Sequence, residues 1–109
     1  MVRITLAPFR MQADGHAGFA EPGKDIVCAA VSALLQALGV GIERLARYGR
    51  VTAKTVEFKD GQALLSATPI AESEGEVRLL FDVFGESLLR LAEEYSEYVE
   101  VMAFGLDPM

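Results

Sequence analysis

Apolar and polar residues alternate in VRITL near the start of the chain, so Val2, Ile4 and Leu6 share one side of a strand predicted over Val2 to Leu6. Pro8 imposes a turn, and Arg10 to Ala13 read as a second strand that delivers Gly15 and His16 at its end. Gly18 to Lys24 contains Pro22-Gly23 and reads as a loop. Asp25 has the chemistry of an N-cap, which predicts a helix from there to about Leu38. Beyond Gly39 and Gly41, Ile42 to Tyr48 adds a turn or two of helix.

Val51 to Phe58 is rich in β-formers, Lys59-Asp60-Gly61 is a turn, and Gln62 to Thr68 answers as the second arm of an antiparallel hairpin. Val77, Leu80, Phe81, Phe84, Leu88, Leu91, Ala92 and Tyr95 then recur at helical spacing, predicting an amphipathic helix over Gly75 to Tyr95. Gly85 within it marks close packing. Tyr98 to Phe104 closes the chain as a strand. The order β-β-α-β-β-α-β predicts an α+β fold, a mostly antiparallel sheet packed with two main helices.

The chain has 109 residues, 51% of them hydrophobic, enough for one core and too few for two, so residues 1–109 are expected to form one domain. A net charge of -6 argues against a nucleic-acid surface, which needs clustered Lys and Arg, and leaves a basic polypeptide partner reasonable. Ile26 to Ile42 is free of charges and approaches the length of a membrane span, but Ser32, Gln36, Gly39 and Gly41 interrupt it; a buried helix is expected, and no membrane partner. One cysteine and one histidine supply neither a disulfide nor a zinc cage, so no metal or other cofactor is expected. MVRITLAPFRM lacks the apolar run of a signal peptide, and a cytoplasmic, reducing location is expected.

Two chemistries compete for the stretch GHAGFAEPGKDIVCAA, residues 15 to 30. GFAEPGK at Gly18 to Lys24 follows the phosphate-cradling pattern G-x-x-x-x-G-K-[ST] for seven positions and fails at the eighth, where Asp25 replaces the magnesium-binding hydroxyl. Pro22 removes a backbone donor and Glu21 adds negative charge, so nucleotide binding is disfavoured. Thiol chemistry fares better. With Asp25 as N-cap, Cys28 is the third helical residue, where unpaired N–H groups and the helix dipole favour a thiolate and could hold an acyl oxyanion. His16 is the available base, and a strand end, a loop and a helix start can close the gap to Cys28. The plain alternative keeps Cys28 as a small buried residue and His16 in a loop.

The run Gly15-His16-Ala17, a glycine-containing loop, then Gly23-Lys24-Asp25-Ile26-Val27-Cys28-Ala29-Ala30-Val31-Ser32 resembles the ribosomal-processing cysteine protease family, often called Prp. The similarity extends from VRITL to LAEEYSEYVEV. It implies a small homodimeric α+β endopeptidase that removes an N-terminal extension from a large-subunit ribosomal protein, with Cys28 as nucleophile and His16 as base. Gly15, Asp25 and Ser32 also match family positions. Asp25 could cap the helix or orient the site, and Ser32 could line it. Two departures stand out: a short segment between the first strand and Gly15, and Ser96 where many members carry proline. The loop Ala17 to Lys24, with glycine hinges, is expected to move or order on peptide binding.

Glu93, Glu94, Glu97 and Glu100 surround Tyr95 and Tyr98 and read as a solvated acidic face that could attract a basic ribosomal tail. Phe81 and Phe84 read as core, with apolar surface on their helix or the adjoining strand serving the dimer. Two other functions remain open: a non-catalytic ribosome-associated binding module, and the same protease chemistry on a phage structural protein.

Overall fold

The computed structural model describes residues 1–15 and 24–104. The opening alternation folds as β1 (Val2–Ala7), which turns back into β2 (Arg10–Asp14). Ala7 faces Arg10 across the ladder, so the turn is Pro8-Phe9 alone, which accounts for the short segment ahead of Gly15. Then come α1 (Lys24–Arg47), the hairpin β3 (Val51–Lys59) and β4 (Gln62–Pro69), a 3-10 turn at Ala71–Ser73, α2 (Glu74–Glu94) and β5 (Val99–Ala103). The sheet order is β3-β4-β2-β1-β5. All pairings are antiparallel except β1 with β5, so the α+β class and the mostly antiparallel sheet are as the pattern predicts.

Register puts the apolar strand positions on one face. Ile4 lies opposite Ala13, Met11 opposite Leu65, and Val2 beside Val99, and all six are buried. Val27, Val31, Leu35, Leu38 and Ile42 of α1 and Val77, Phe81 and Leu88 of α2 close over that face. Phe84 is partly buried against the same core. Residues 26–47 are long and apolar enough to cross a membrane by length and composition. In this fold their apolar stripe is the lid of the core, and the remaining hydropathy comes from alanines and from large residues such as the exposed Ile26 and Val40.

One expectation fails here. The helix does not stop near Leu38 but runs unbroken through Gly39 and Gly41 to Arg47. The glycines serve contacts from distant segments. A Cβ on Gly39 would stand 3.0 Å from Val56 Cγ1, and one on Gly41 would stand 2.9 Å from the Leu80 methyls. Each lets a neighbouring element approach the helix backbone, an advantage that outweighs about 1 kcal/mol of lost helix propensity per glycine. Gly49 at φ 72 then ends α1 in a Schellman cap, Arg50 N–H bonding Leu45 O at 2.9 Å and Gly49 N–H bonding Ala46 O at 3.1 Å. Gly85 does mark close packing, against Leu6 Cδ1 at 3.3 Å from its would-be Cβ.

Candidate active site

A second expectation needs correction. The helix has already begun at Lys24, a good helix former whose side chain does not compete for backbone groups, so Asp25 lies inside the first turn and is not the N-cap. Cys28 is therefore the fifth residue of α1, not the third. Its own N–H is within reach of the Lys24 carbonyl in the helical pattern, and the N–H groups that helix geometry leaves without an intrahelical partner belong to the turn before it. Side chains on a helix lean toward the N-terminus, so the thiol still projects back over those donors.

Cys28 is partly exposed and lines a cleft of about 230 Å³. One wall is the underside of α1, where Cys28, Val31, Ser32 and Leu35 follow one another at helical spacing. The other wall is the end of the β3–β4 hairpin, Phe58 through Ala63. Val2, Ala13 and Gly15 complete it. Of the residues singled out from sequence, Cys28, Ser32 and Gly15 thus meet in one place. Ser32 is exposed, and its Oγ accepts a hydrogen bond from Gln36 Nε2 at 3.1 Å. His16 and residues 17–23, including the proposed moving loop and most of the phosphate-loop-like stretch, lie outside the described residues.

Gly15 is fixed by its backbone. It has φ 100, its N–H donates to Gly61 O at 2.9 Å, and a Cβ there would collide with the carbonyl oxygen of Met1. No L side chain fits. One residue earlier, the Asp14 carboxylate accepts from Gln12 Nε2 at 3.1 Å and from Gln62 Nε2 at 3.0 Å. The end of β2, immediately before His16 in the chain, is therefore tied to the same hairpin turn that walls the thiol cleft.

A larger cavity of about 390 Å³ opens at the other end of β1 and β2, lined by Pro8, Phe9, Phe81, Gly85 and Leu89 among others. Its lining has no thiol, hydroxyl or imidazole, so the smaller cleft is the one with a nucleophile. Among the described residues no group of three His, Cys, Asp or Glu side chains could hold a metal. The four acidic residues Glu93, Glu94, Glu97 and Glu100 are all exposed, Glu100 pairing with Arg3 at 3.4 Å, as suits a solvated face. Ser96 lies in the turn between α2 and β5, exposed, where nothing in the local packing demands proline.

The hairpin wall, Phe58 to Gln62, escaped the sequence reading as part of a site. Its turn residues are legible, but their place beside Cys28 depends on β4 pairing with β2, which no local pattern announces.

The chain matches the family described as Cysteine protease Prp over residues 1–100. It is 29% identical over 105 residues to the ribosomal processing cysteine protease Prp of Mycoplasma genitalium, covering 93% of this chain and 94% of that protein. Among solved structures it is similar to SMU.848 from Streptococcus mutans, with a TM-score of 0.68 and 29% identity over 95% of this chain and 96% of that one. The essential ribosomal processing protease Prp from S. aureus, in complex with a covalently linked product peptide, shares the fold at a TM-score of 0.72 and 23% identity, covering 95% of this chain and 100% of that one.

Proposed function

The chain belongs to the cysteine protease Prp family, and on that premise we propose that it is an endopeptidase removing the N-terminal extension of a large-subunit ribosomal protein, with Cys28 as nucleophile and His16 as base. The observation that carries the reading is the thiol: the sole cysteine of a chain matched to this family opens into a cleft beside a helix start. The curated relative from Mycoplasma genitalium bears a ribosomal-processing name, which supports the substrate class.

In this mechanism His16 takes the Cys28 proton, and the sulfur attacks the scissile carbonyl carbon, pushing the π electrons onto oxygen. Free N–H groups of the first turn of α1 stabilise that oxyanion. Collapse breaks the C–N bond, and the imidazolium gives its proton to the departing amine. Water, deprotonated by His16, then attacks the thioester carbonyl and releases the acid and the thiol. Asp25 and Ser32 are assigned supporting places at the two sides of Cys28, and Gly15 anchors the strand that leads to the base.

The enzyme acts in the cytoplasm as a homodimer in this proposal. Val40, Leu79 and Val83, exposed at 66%, 64% and 47%, flank the point where Gly41 meets Leu80 and supply an apolar face for the second copy. No nucleic acid or membrane takes part.

The decisive experiment incubates a peptide spanning the organism's own ribosomal-protein leader with the wild type, Cys28→Ala and His16→Ala, read by mass spectrometry. Cleavage at one bond is expected from the wild type, with a loss of about a thousandfold or more in Cys28→Ala and about a hundredfold or more in His16→Ala. Absence of cleavage by the wild type would turn the reading toward a binding module.

A further inference from the structure

Resting on the thiol-protease reading, we propose that Phe58 forms the end of a subsite for an apolar substrate side chain, three residues along the peptide from the position held at Cys28. The cleft is elongated. Its α1 wall runs from Cys28 to Leu35, and at 1.5 Å per residue that places its far end about 10 Å from the thiol end. An extended peptide advances about 3.3 Å per residue, so the third residue reaches Phe58 and Leu35.

The chemistry of that end is apolar, with a polar edge. Leu35 is 4% exposed and forms the floor, while Phe58 remains 45% exposed although it stands on the helix-facing side of β3, opposite buried Ala63. Phe58 lies against α1 at Gly39, Cε2 being 3.6 Å from where that residue's Cβ would be. That is an ordinary van der Waals distance, so the ring rests on the helix surface that Gly39 leaves bare. Lys59, Asp60 and Gln62 supply the rim. An apolar floor with a few polar groups at the mouth is the usual composition of a side-chain pocket. A glycine or a charged residue in the third position leaves the Phe58 ring in contact with water, which is the basis of the discrimination.

The test uses the single cysteine as its reporter, because alkylation needs no peptidase turnover. Bromoacetyl-Gly-Gly-Leu-amide, bromoacetyl-Leu-Gly-Gly-amide and bromoacetyl-Gly-Gly-Gly-amide are compared for their rates of thioether formation, in which the Cys28 thiolate displaces bromide. A Leu-Gly-Gly-Gly chloromethyl ketone, whose C-terminal glycine is held at Cys28 and whose leucine lies three residues along, probes the opposite chain direction, with Gly-Gly-Leu-Gly and all-glycine ketones for comparison. In one of the two series, leucine at the third position is expected to accelerate labelling about tenfold over the all-glycine reagent, the scale of partly burying that side chain. With each rate taken relative to the same protein's own rate with iodoacetamide, Phe58→Ala abolishes the acceleration and Phe58→Leu keeps most of it. Equal rates for leucine and glycine in both series, or a preference that survives Phe58→Ala, overturns the proposal. A preference of the expected kind in a protein that cleaves no leader peptide supports the subsite while refuting the protease reading.

Discussion

Two hairpin turns stand at opposite ends of β2 and impose one backbone requirement. Arg10 opens β2 beside Pro8-Phe9, and Asp14 closes it opposite Gln62, beside Asp60-Gly61. Each turn has two residues, and in each the second takes positive φ, 58 at Phe9 and 71 at Gly61. Glycine meets that requirement without strain, whereas an ordinary L residue pays about 1–2 kcal/mol. Phe9 offsets its cost through its ring, which meets Phe81 edge to face at 6.3 Å and lies under the Arg78 guanidinium at 5.2 Å. Both turn carbonyls accept a bond from the neighbouring segment, Phe9 O from Ala67 N–H at 3.0 Å and Gly61 O from Gly15 N–H at 2.9 Å, so the turns differ in side chain alone: the packed aromatic lines the larger cavity and the bare glycine lines the thiol cleft.

The comparison can be broken most forcefully at Gly15. Gly15→Ala combines an unfavourable φ with a collision against the Met1 carbonyl, and about 3 kcal/mol of stability should be lost. Urea denaturation reads this directly, and a loss below about 0.5 kcal/mol would mean the strand end is not held as described. Phe9→Gly relieves strain but removes the ring contacts. A net loss of about 2 kcal/mol, with the iodoacetamide reactivity of Cys28 unchanged, would separate the packed turn from the chemical one; a gain in stability would show that strain dominates there. Gly61→Ala should cost about 1 kcal/mol and, unlike Phe9→Gly, alter the rate of Cys28 alkylation. Equal alkylation rates would detach the hairpin turn from the site. Arg78→Ala is expected to cost only about 0.5 kcal/mol, because its interactions with Phe9 and with Glu74 at 3.2 Å are both partly solvated. Thermal unfolding would resolve the change, and a loss above about 2 kcal/mol would assign the turn's stability to the cation.

What could be read from sequence was whatever the chain states locally. Alternation announced β1, the Lys59-Asp60-Gly61 punctuation announced the second hairpin, and the spacing of Val77, Phe81 and Leu88 announced α2. Cys28 was legible because its neighbours carry the family's pattern. Gly39 and Gly41 misled, since their reason for existing lies in Val56 and Leu80, residues distant in the chain. The parallel seat of β5 beside β1 was also hidden, because strand composition does not specify a neighbour. The far wall of the cleft required both the strand order and the register, so Phe58 could not be recognised until the sheet was assembled.

The pairing of β1 with β5 also sets an order of events in synthesis. Val2, part of the cleft, donates its N–H to Tyr98 O at 2.9 Å, and Arg3 and Ile4 lie beside Glu100 and Val101. The first strand of the fold leaves the ribosome long before β5, its partner on that side, has been translated. Contacts of such long sequence separation form late and close slowly. The cleft around Cys28 is thus finished only after β5 has been made, and a nascent product that stops short of β5 would carry the thiol without its finished surroundings.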